Sequence, residues 1–271
     1  MGIVNATPDS FHSPSRALAQ GARSVAPMAE AMIADGVDII DIGACSTRPG
    51  STPVDAGEEL RRAVSAIGEV RRVSAQAVIS IDTFRAEVAR AAIEAGADIV
   101  NDISGGLADS DMIPTVAALK APYILTHMRG DQSTMQSLTD YPDGVTAGVI
   151  AELSHRLEAA YAAGVRDVII DPGFGFAKTL EQNYELLRNL DLIAEAFGLP
   201  VLAGMSRKSM LTRGLSVDTS DALEATVAAN TIALLKGASI LRVHDVKAAV
   251  HAVKVYLLTN NQKHESWTAL D

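Results

Sequence analysis

One cysteine, Cys45, in 271 residues rules out a disulfide scaffold, and a chain of this length buries a full core without covalent staples. A lone cysteine suits a reducing compartment. Aromatic residues are scarce at 4%, too few for the stacking platforms that hold single-stranded nucleic acid. Basic residues are in deficit. Lys+Arg 23 against Asp+Glu 33 gives a formal net charge of −10, so no broad basic face is available to neutralise phosphates along a duplex. No run approaches the ~18 apolar residues that a membrane helix needs, and no leader-like segment precedes the first charged residues. Nucleic acid and membrane are thus excluded as partners. A cytoplasmic α/β enzyme or small-molecule binder remains, with the 48% hydrophobic and 21% charged balance of a globular protein.

What is present is a repeated phrase. DGVDIIDIG, AGADIVNDIS, AGVRDVIIDPG and KGASILRVHD each read as a helix end, a glycine, a short β-branched run and then polar residues. Gly36, Gly96, Gly164 and Gly237 stand where a helix closes through a left-handed residue. The runs that follow are continuous rather than alternating, as in strands buried on both faces of a parallel sheet. Gly2–Asn5 and segments 77–82, 123–127 and 200–205 fit the same mould, which makes eight strands. Helical periodicity falls on 58–73, 84–94, 145–163, 180–197 and 221–235, with Thr219, Ser220 and Asp221 offered as an N-cap cluster for the last. Eight βα units without a linker or composition shift predict a single-domain (β/α)8 TIM barrel over residues 1–258 and a polar tail over 259–271. A doubly wound open sheet needs fewer strands.

Each predicted strand ends on something polar: Asn5, Asp41, Asp82, Asn101 with Asp102, His127, Asp171, Ser206 with Arg207, and Arg242 with His244. Strands of a parallel barrel all point one way, so these side chains gather on the rim where barrel active sites lie. A helix cap accounts for one or two of them, Asp102 first, but not for all eight. Asp82, Asn101 and Asp171 suit acid–base work, metal binding or acceptance of N–H bonds from a ligand. No His-x-His pair accompanies them, which speaks against a metal cage. A donor-rich heterocycle fits better, because a carboxylate accepts two N–H bonds while asparagine both donates and accepts. A second group is basic and glycine-rich: STRPGS at 46–51, SRKSM at 206–210 and RVHD at 242–245. The turn around Lys208 and the alternating Arg242 and His244 suit an anion, at the loops where barrels usually bind phosphate. Arg207 reads equally well as a surface ion-pair residue. Segments 8–16 and 44–53 are candidate lids, and Gly173 and Gly175 allow a tight turn that presents Phe174 or Phe176 over the mouth. Cys45 has no evident base partner and reads as a small packing thiol. His127 fits core or rim.

GIVNATPDSF, DIGACSTRPGS, ISIDTFRAEVARAAIEAGADIVNDISGG, THMRG, IIDPGFGFAKT, GMSRKSML and RVHDV, in this order, resemble the motif set of the dihydropteroate synthase family from residue 2 to about residue 250. The resemblance implies a transferase of folate biosynthesis, and a sulfonamide target, that joins 4-aminobenzoate to 6-hydroxymethyl-7,8-dihydropterin diphosphate and releases diphosphate, with Mg2+ assisting. By the same resemblance Asp82, Asn101, Met128, Asp171 and Lys208 are pterin-binding. Asn5 is the metal ligand and, with Arg48, Arg242 and His244, binds the diphosphate. Thr47 and Arg48 are mobile residues that close over the substrates and, with Lys208, take part in catalysis. Thr47, Phe176 and Ser206 line the aminobenzoate pocket. A homodimer is the family's usual form, and the last two helices are apolar enough to pair.

Three positions depart from the family pattern. HSPSR stands where an Asp-Gly-Gly segment is common, Ala44-Cys45 where Gly-Glu is frequent, and Ala177 replaces the second glycine of GFGK, which tests whether that turn needs a positive φ. Two other readings keep the pterin carboxylates. One is a barrel that moves a methyl group from methyltetrahydrofolate to a corrinoid partner, which has no use for the anion corner. The other is a pterin binder without turnover, against which Asn5, Thr47, Arg48, Lys208 and Arg242 argue.

Overall fold

A computed structural model of the chain describes residues 1–6, 25–45, 54–131 and 133–261. Strand and helix alternate through them: β1 (Gly2–Asn5), α1 (Ala26–Ala34), β2 (Ile39–Gly43), α2 (Ala56–Val73), β3 (Val78–Asp82), α3 (Ala86–Glu94), β4 (Ile99–Asp102), α4 (Met112–Leu119), β5 (Tyr123–Thr126), α5 (Val145–Ala163), β6 (Val168–Asp171), α6 (Leu180–Arg188), α7 (Leu190–Phe197), β7 (Leu202–Ala203), α8 (Ser209–Leu215), α9 (Leu223–Leu235), β8 (Ile240–Leu241) and α10 (Val246–Thr259). Strands β1 to β6 pair in sequence order in one parallel sheet, and β7 pairs with β8. Parallel bridges Ile170↔Val201 and Gly2↔Val243 join the two sheets. Across the second seam the Ile3 N–H donates to Val243 O and the Val243 N–H to Met1 O, both at 2.9 Å. The eight strands thereby close into the single barrel that the alternation predicts. Of the tail expected over 259–271, only residues 259–261 are described, where α10 ends.

Period-two alternation gives each strand an outer and an inner face. Val4, Ile40, Ile42, Ile79, Ile81, Val100, Leu125 and Ile170 are fully buried against the helices in the main core, each contributing ~1.5–3 kcal/mol relative to exposure. Their neighbours form a separate cluster inside the barrel: Met1, Ile39, Ile99, Ile124, Ile169, Leu202 and Ile240. This aliphatic floor closes the barrel beneath the site.

Local signals set most helix ends. The Asp55 side chain caps α2 by accepting from the Glu58 N–H at 3.1 Å, and Thr179 with Gln182 forms a reciprocal capping box on α6. The four glycines predicted to close helices have φ between +87° and +108°. Two expectations are corrected. The helix expected over 180–197 is two helices, broken at Asn189, whose Nδ2 donates to Thr146 Oγ1 at 3.1 Å rather than extending the helix surface. Residues 219–221 do not cap α9: they form a 3-10 turn, and the carbonyls of Thr219 and Ser220 accept from Arg207 Nη1 at 2.6 and 3.0 Å.

Candidate active site

Two residues beyond the floor, the inner face turns polar strand by strand. Ile39 is followed by Asp41, Ile99 by Asn101, Ile124 by Thr126, Ile169 by Asp171 and Ile240 by Arg242. Ser80 and Asp82 share the inner face of β3, and Gly204 takes the same layer beyond β7. Two of the strand-end residues face outward instead, because they stand one position off this register. Asp102 accepts from the Ser104 and Gly106 N–H groups at 2.8 and 2.7 Å and from the Tyr123 hydroxyl at 2.7 Å, so it caps the turn after β4. His127 is buried between β5 and α5, its Nε2 3.1 Å from Glu152 Oε2 and its Nδ1 3.0 Å from Lys178 Nζ. Burial pushes its pKa down to about 4, so it is a neutral core histidine.

One half of the inner layer is an ion-pair network. Arg242 donates from Nε to Asp41 at 2.6 Å and from Nη2 to Asp82 at 2.5 Å. Asn101 Nδ2 lies 3.2 and 3.3 Å from the two Asp41 oxygens, and the Ser80 hydroxyl donates to the same carboxylate. Burial raises the Asp82 pKa to about 7, with Arg242 opposing and Asp41, Glu59 and Asp102 adding to the rise. Asn5 joins from β1. A Cβ on Gly43 would lie 3.5 Å from Asn5 Oδ1 and 3.8 Å from Asp82 Oδ2, so the missing side chain leaves two oxygens beside one gap.

The other half is built by the turn after β6. Asp171 accepts from the Gly173 N–H at 2.8 Å and lies 3.5 Å from the Thr126 hydroxyl. Its pKa is raised by burial, with Lys208 opposing. Lys208 Nζ donates to Phe174 O at 2.6 Å and sits 4.8 Å from the centre of the Phe176 ring. Burial lowers its pKa to about 8, with Asp171 pulling it back up, so the ammonium form prevails at neutral pH. Met128, Met135 and Ala177 form a small apolar cluster against Phe176. Ala177 has φ +51°, which answers the question its identity poses: the turn does require the left-handed region, and an alanine occupies it.

Every carbonyl from Gly173 to Lys178 in this turn accepts a side-chain hydrogen bond. Lys178 serves Gly173 and Phe176 (both 2.9 Å), Lys208 serves Phe174, Gln136 serves Gly175 (3.1 Å), Tyr141 serves Ala177 (3.0 Å) and Asn183 serves Lys178 (3.4 Å). The Phe174 and Phe176 side chains are therefore carried on a braced backbone.

The anion corner is partly assembled. Ser206 Oγ and His244 Nδ1 are 3.0 Å apart. Gly204 separates the basic groups, a Cβ there lying 3.8 Å from Arg242 Cβ and 3.9 Å from Lys208 Nζ. Arg207 takes the ion-pair role, donating from Nε and Nη2 to the two Asp245 oxygens at 2.8 and 2.9 Å. Thr47, Arg48 and segment 8–16 lie outside the described residues. Burial raises the Cys45 pKa, opposite to an activated thiolate. Among the described residues no group of three or more His, Cys, Asp or Glu is arranged to hold a metal.

Two groups escape sequence reasoning about roles. Asp41 appears as one strand end among eight, although a carboxylate between two isoleucines must find buried donors. Lys178, the brace of the β6 turn, carries no signal beyond its place after the glycines.

A family model described as "Pterin binding enzyme" matches residues 1–244. A dihydropteroate synthase of Synechocystis sp. is 44% identical over 262 residues, covering 94% of this chain and 88% of that one. The folic acid synthesis protein fol1 of Schizosaccharomyces pombe is 42% identical over 254 residues, and the chain spans only 34% of its length. Among solved structures, Xanthomonas albilineans dihydropteroate synthase with 4-aminobenzoic acid superposes with a TM-score of 0.85 at 38% identity, covering 97% of this chain and 93% of that one. The Yersinia pestis enzyme in a sulfonamide drug complex does so with 0.87 at 36% identity and the same coverage. With the family model matching residues 1–244 and relatives and solved structures matched along nearly the whole chain, this protein belongs to the pterin-binding enzymes, among the dihydropteroate synthases.

Proposed function

We propose that the chain joins 6-hydroxymethyl-7,8-dihydropterin diphosphate to 4-aminobenzoate at the rim, giving dihydropteroate and diphosphate. The observation that carries this reading is the sorting of the inner layer. Hydrogen-bond acceptors (Asp82, Asn101, Asp171) lie on strands β3, β4 and β6, and the basic side chains Lys208, Arg242 and His244 follow β7 and β8. A pterin offers an amino-pyrimidinone edge rich in N–H donors, which suits the first group. A diphosphate suits the second.

Breaking the bond between the pterin methylene and the bridging oxygen sends an electron pair to the diphosphate. Arg242, His244 and Lys208, with Arg48 from the second loop, hold cationic or donor groups where that charge develops. The aniline nitrogen of 4-aminobenzoate bonds to the methylene and releases its proton to solvent. Being weakly basic, it is uncharged at neutral pH, so no strong general base is needed and the protein's work is positioning. Phe176, Ser206 and Thr47 line the aminobenzoate side, and Met128 packs on the pterin side, supported by its contact with the Phe176 cluster.

Mg2+ is part of the proposal, and Asn5 would hold it through its side-chain oxygen. A hard oxygen beside the Asp82 carboxylate fits this ion, which takes few protein ligands and completes its shell with water and phosphate oxygens. When bound it supplies positive charge to the leaving diphosphate. A homodimer is supported by Leu235, Val255 and Leu258, which α9 and α10 leave 65%, 63% and 72% exposed. A cytoplasmic location accords with the lone cysteine, and no helix among the described residues is long and apolar enough to cross a membrane.

A coupled assay of diphosphate release with both substrates and Mg2+ tests the proposal. Release that depends on 4-aminobenzoate is expected, and none above background refutes it.

A further inference from the structure

Asp41 has no part in the chemistry above, yet three separate side chains converge on it. It is fully buried and stands in β2 in register with Ile3 of β1 and Ser80 of β3. An ionised carboxylate accepts hydrogen bonds and donates none, so each neighbour must turn a proton toward it. Ser80 does so with its hydroxyl, Arg242 with Nε and Asn101 with Nδ2.

The consequence for Asn101 is directional. A side-chain amide has two faces of nearly equal shape, and a site that binds through it must fix which one meets the ligand. Flipping Asn101 would set its Oδ1 3.2 and 3.3 Å from the two Asp41 oxygens, an acceptor against acceptors with no proton between them. That arrangement sets buried acceptors against each other and costs Asp41 its bond from the Asn101 amide. Oδ1 is therefore turned away from Asp41, on the residue that Asp82 faces across the parallel ladder. It presents an acceptor alongside the Asp82 carboxylate.

We infer that Asp41 is a positioning residue that fixes the Asn101 amide with its carbonyl oxygen toward the ligand, so that the site selects a ring edge carrying N–H donors. The inference rests on the pterin site proposed above and adds the group that sets its hydrogen-bond polarity. Arg242 is also held by Asp82, at 2.5 Å from Nη2, so the anion corner has a second anchor besides this carboxylate.

Calorimetric titration of the purified protein with two probes tests the inference: 6-hydroxymethylpterin, which lacks the diphosphate, and inorganic diphosphate. In Asp41→Asn the amide is free to rotate, and pterin affinity is expected to fall by at least about tenfold, the scale of one buried hydrogen bond left unmade. Diphosphate affinity is expected to stay level or rise, since a negative charge beside Arg242 is gone. Loss of both by the same factor, as general loosening would give, or unchanged pterin affinity, overturns the inference.

Asp171→Asn serves as the reference for the site itself. Weakened pterin binding there with none lost in Asp41→Asn rejects the positioning role alone, whereas no loss in either rejects the pterin site and the inference with it. If Asp41→Asn does not fold, Ser80→Ala carries the test, because it removes one of the three groups that hold the carboxylate. A severalfold loss of pterin affinity at constant diphosphate affinity supports the role, and equal affinities for both probes reject it.

Discussion

Replacing Lys178 by methionine keeps an unbranched side chain one atom shorter and removes its amine. The buried amine meets three acceptors, Gly173 O, Phe176 O and His127 Nδ1, at 2.9, 2.9 and 3.0 Å. Burial pulls its pKa from 10.5 down to about 7 despite the nearby Asp171 charge. In the unfolded chain the lysine stays protonated up to its ordinary value, so between about pH 7 and pH 10.5 the unfolded state binds more protons than the folded one. The cost of the buried ammonium is present in full below pH 7 and relieved as pH rises through the window. The contribution of Lys178 to stability must therefore increase with pH there.

Each pH unit within the window is worth ~1.4 kcal/mol. From pH 7 to pH 9 the lysine contributes about 2–3 kcal/mol of added stability, or roughly 5–10 °C in Tm for a domain of this size. Methionine contributes none. His127 does not intrude: it titrates at about 4 in the intact cluster and has a free value of 6.5, both below the window. Other titrating groups are common to both proteins and cancel in the difference. Thermal unfolding of both at pH 7, 8 and 9 reads the effect as a gap in Tm between wild type and Lys178→Met that shifts in favour of wild type with pH. Parallel Tm curves across that range would refute the assignment of Lys178 as a buried amine with a depressed pKa.

Asp82→Asn should weaken pterin binding about tenfold or more, since a carboxylate becomes an amide with one acceptor. The pH dependence of wild-type affinity should rise through about pH 7 as Asp82 ionises and flatten in the variant; calorimetry at pH 6, 7 and 8 reads both. Arg207→Lys loses the two-pronged contact with Asp245 and the bonds to Thr219 and Ser220, so Tm should fall by a few degrees while kcat changes less than twofold. In Ala177→Gly, relief of left-handed strain of ~1–2 kcal/mol is offset by a lost buried methyl of ~0.8 kcal/mol and by ~0.4–1 kcal/mol of unfolded-chain entropy. Tm should move by less than about 4 °C, and a larger rise would mean the turn is more strained than its φ indicates. Arg48→Ala should lower turnover more than pterin affinity; equal losses would refute the proposed part of Arg48 in closing over the substrates.

The barrel is legible because its signals are local. Four of the eight β-branched runs sit just after a glycine that ends a helix, and both features are read within about ten residues. Asn189 and Thr219 mislead for a physical reason: each satisfies a distant partner, Thr146 in one case and Arg207 in the other, instead of serving its own helix. The site divides in the same way. Which residues point inward follows from period two, and it places Asp82, Asn101, Asp171 and Arg242 together while sending Asp102 and His127 outward. What those residues bond to depends on closure of the barrel. Arg242 and Asp41 are 201 positions apart, and nothing in either neighbourhood announces the other. The tie of Lys178 to His127 is hidden for the same reason.

The two-residue step from the aliphatic floor to the polar layer separates two inheritances within one strand. Ile39, Ile99, Ile124, Ile169 and Ile240 answer for whether the barrel holds, while the residues two places further on answer for what it holds. Neither layer needs the identity of the other, only its spacing. A descendant of this chain could exchange its inner polar ring, and with it the molecule it recognises, without renegotiating the floor on which that ring stands.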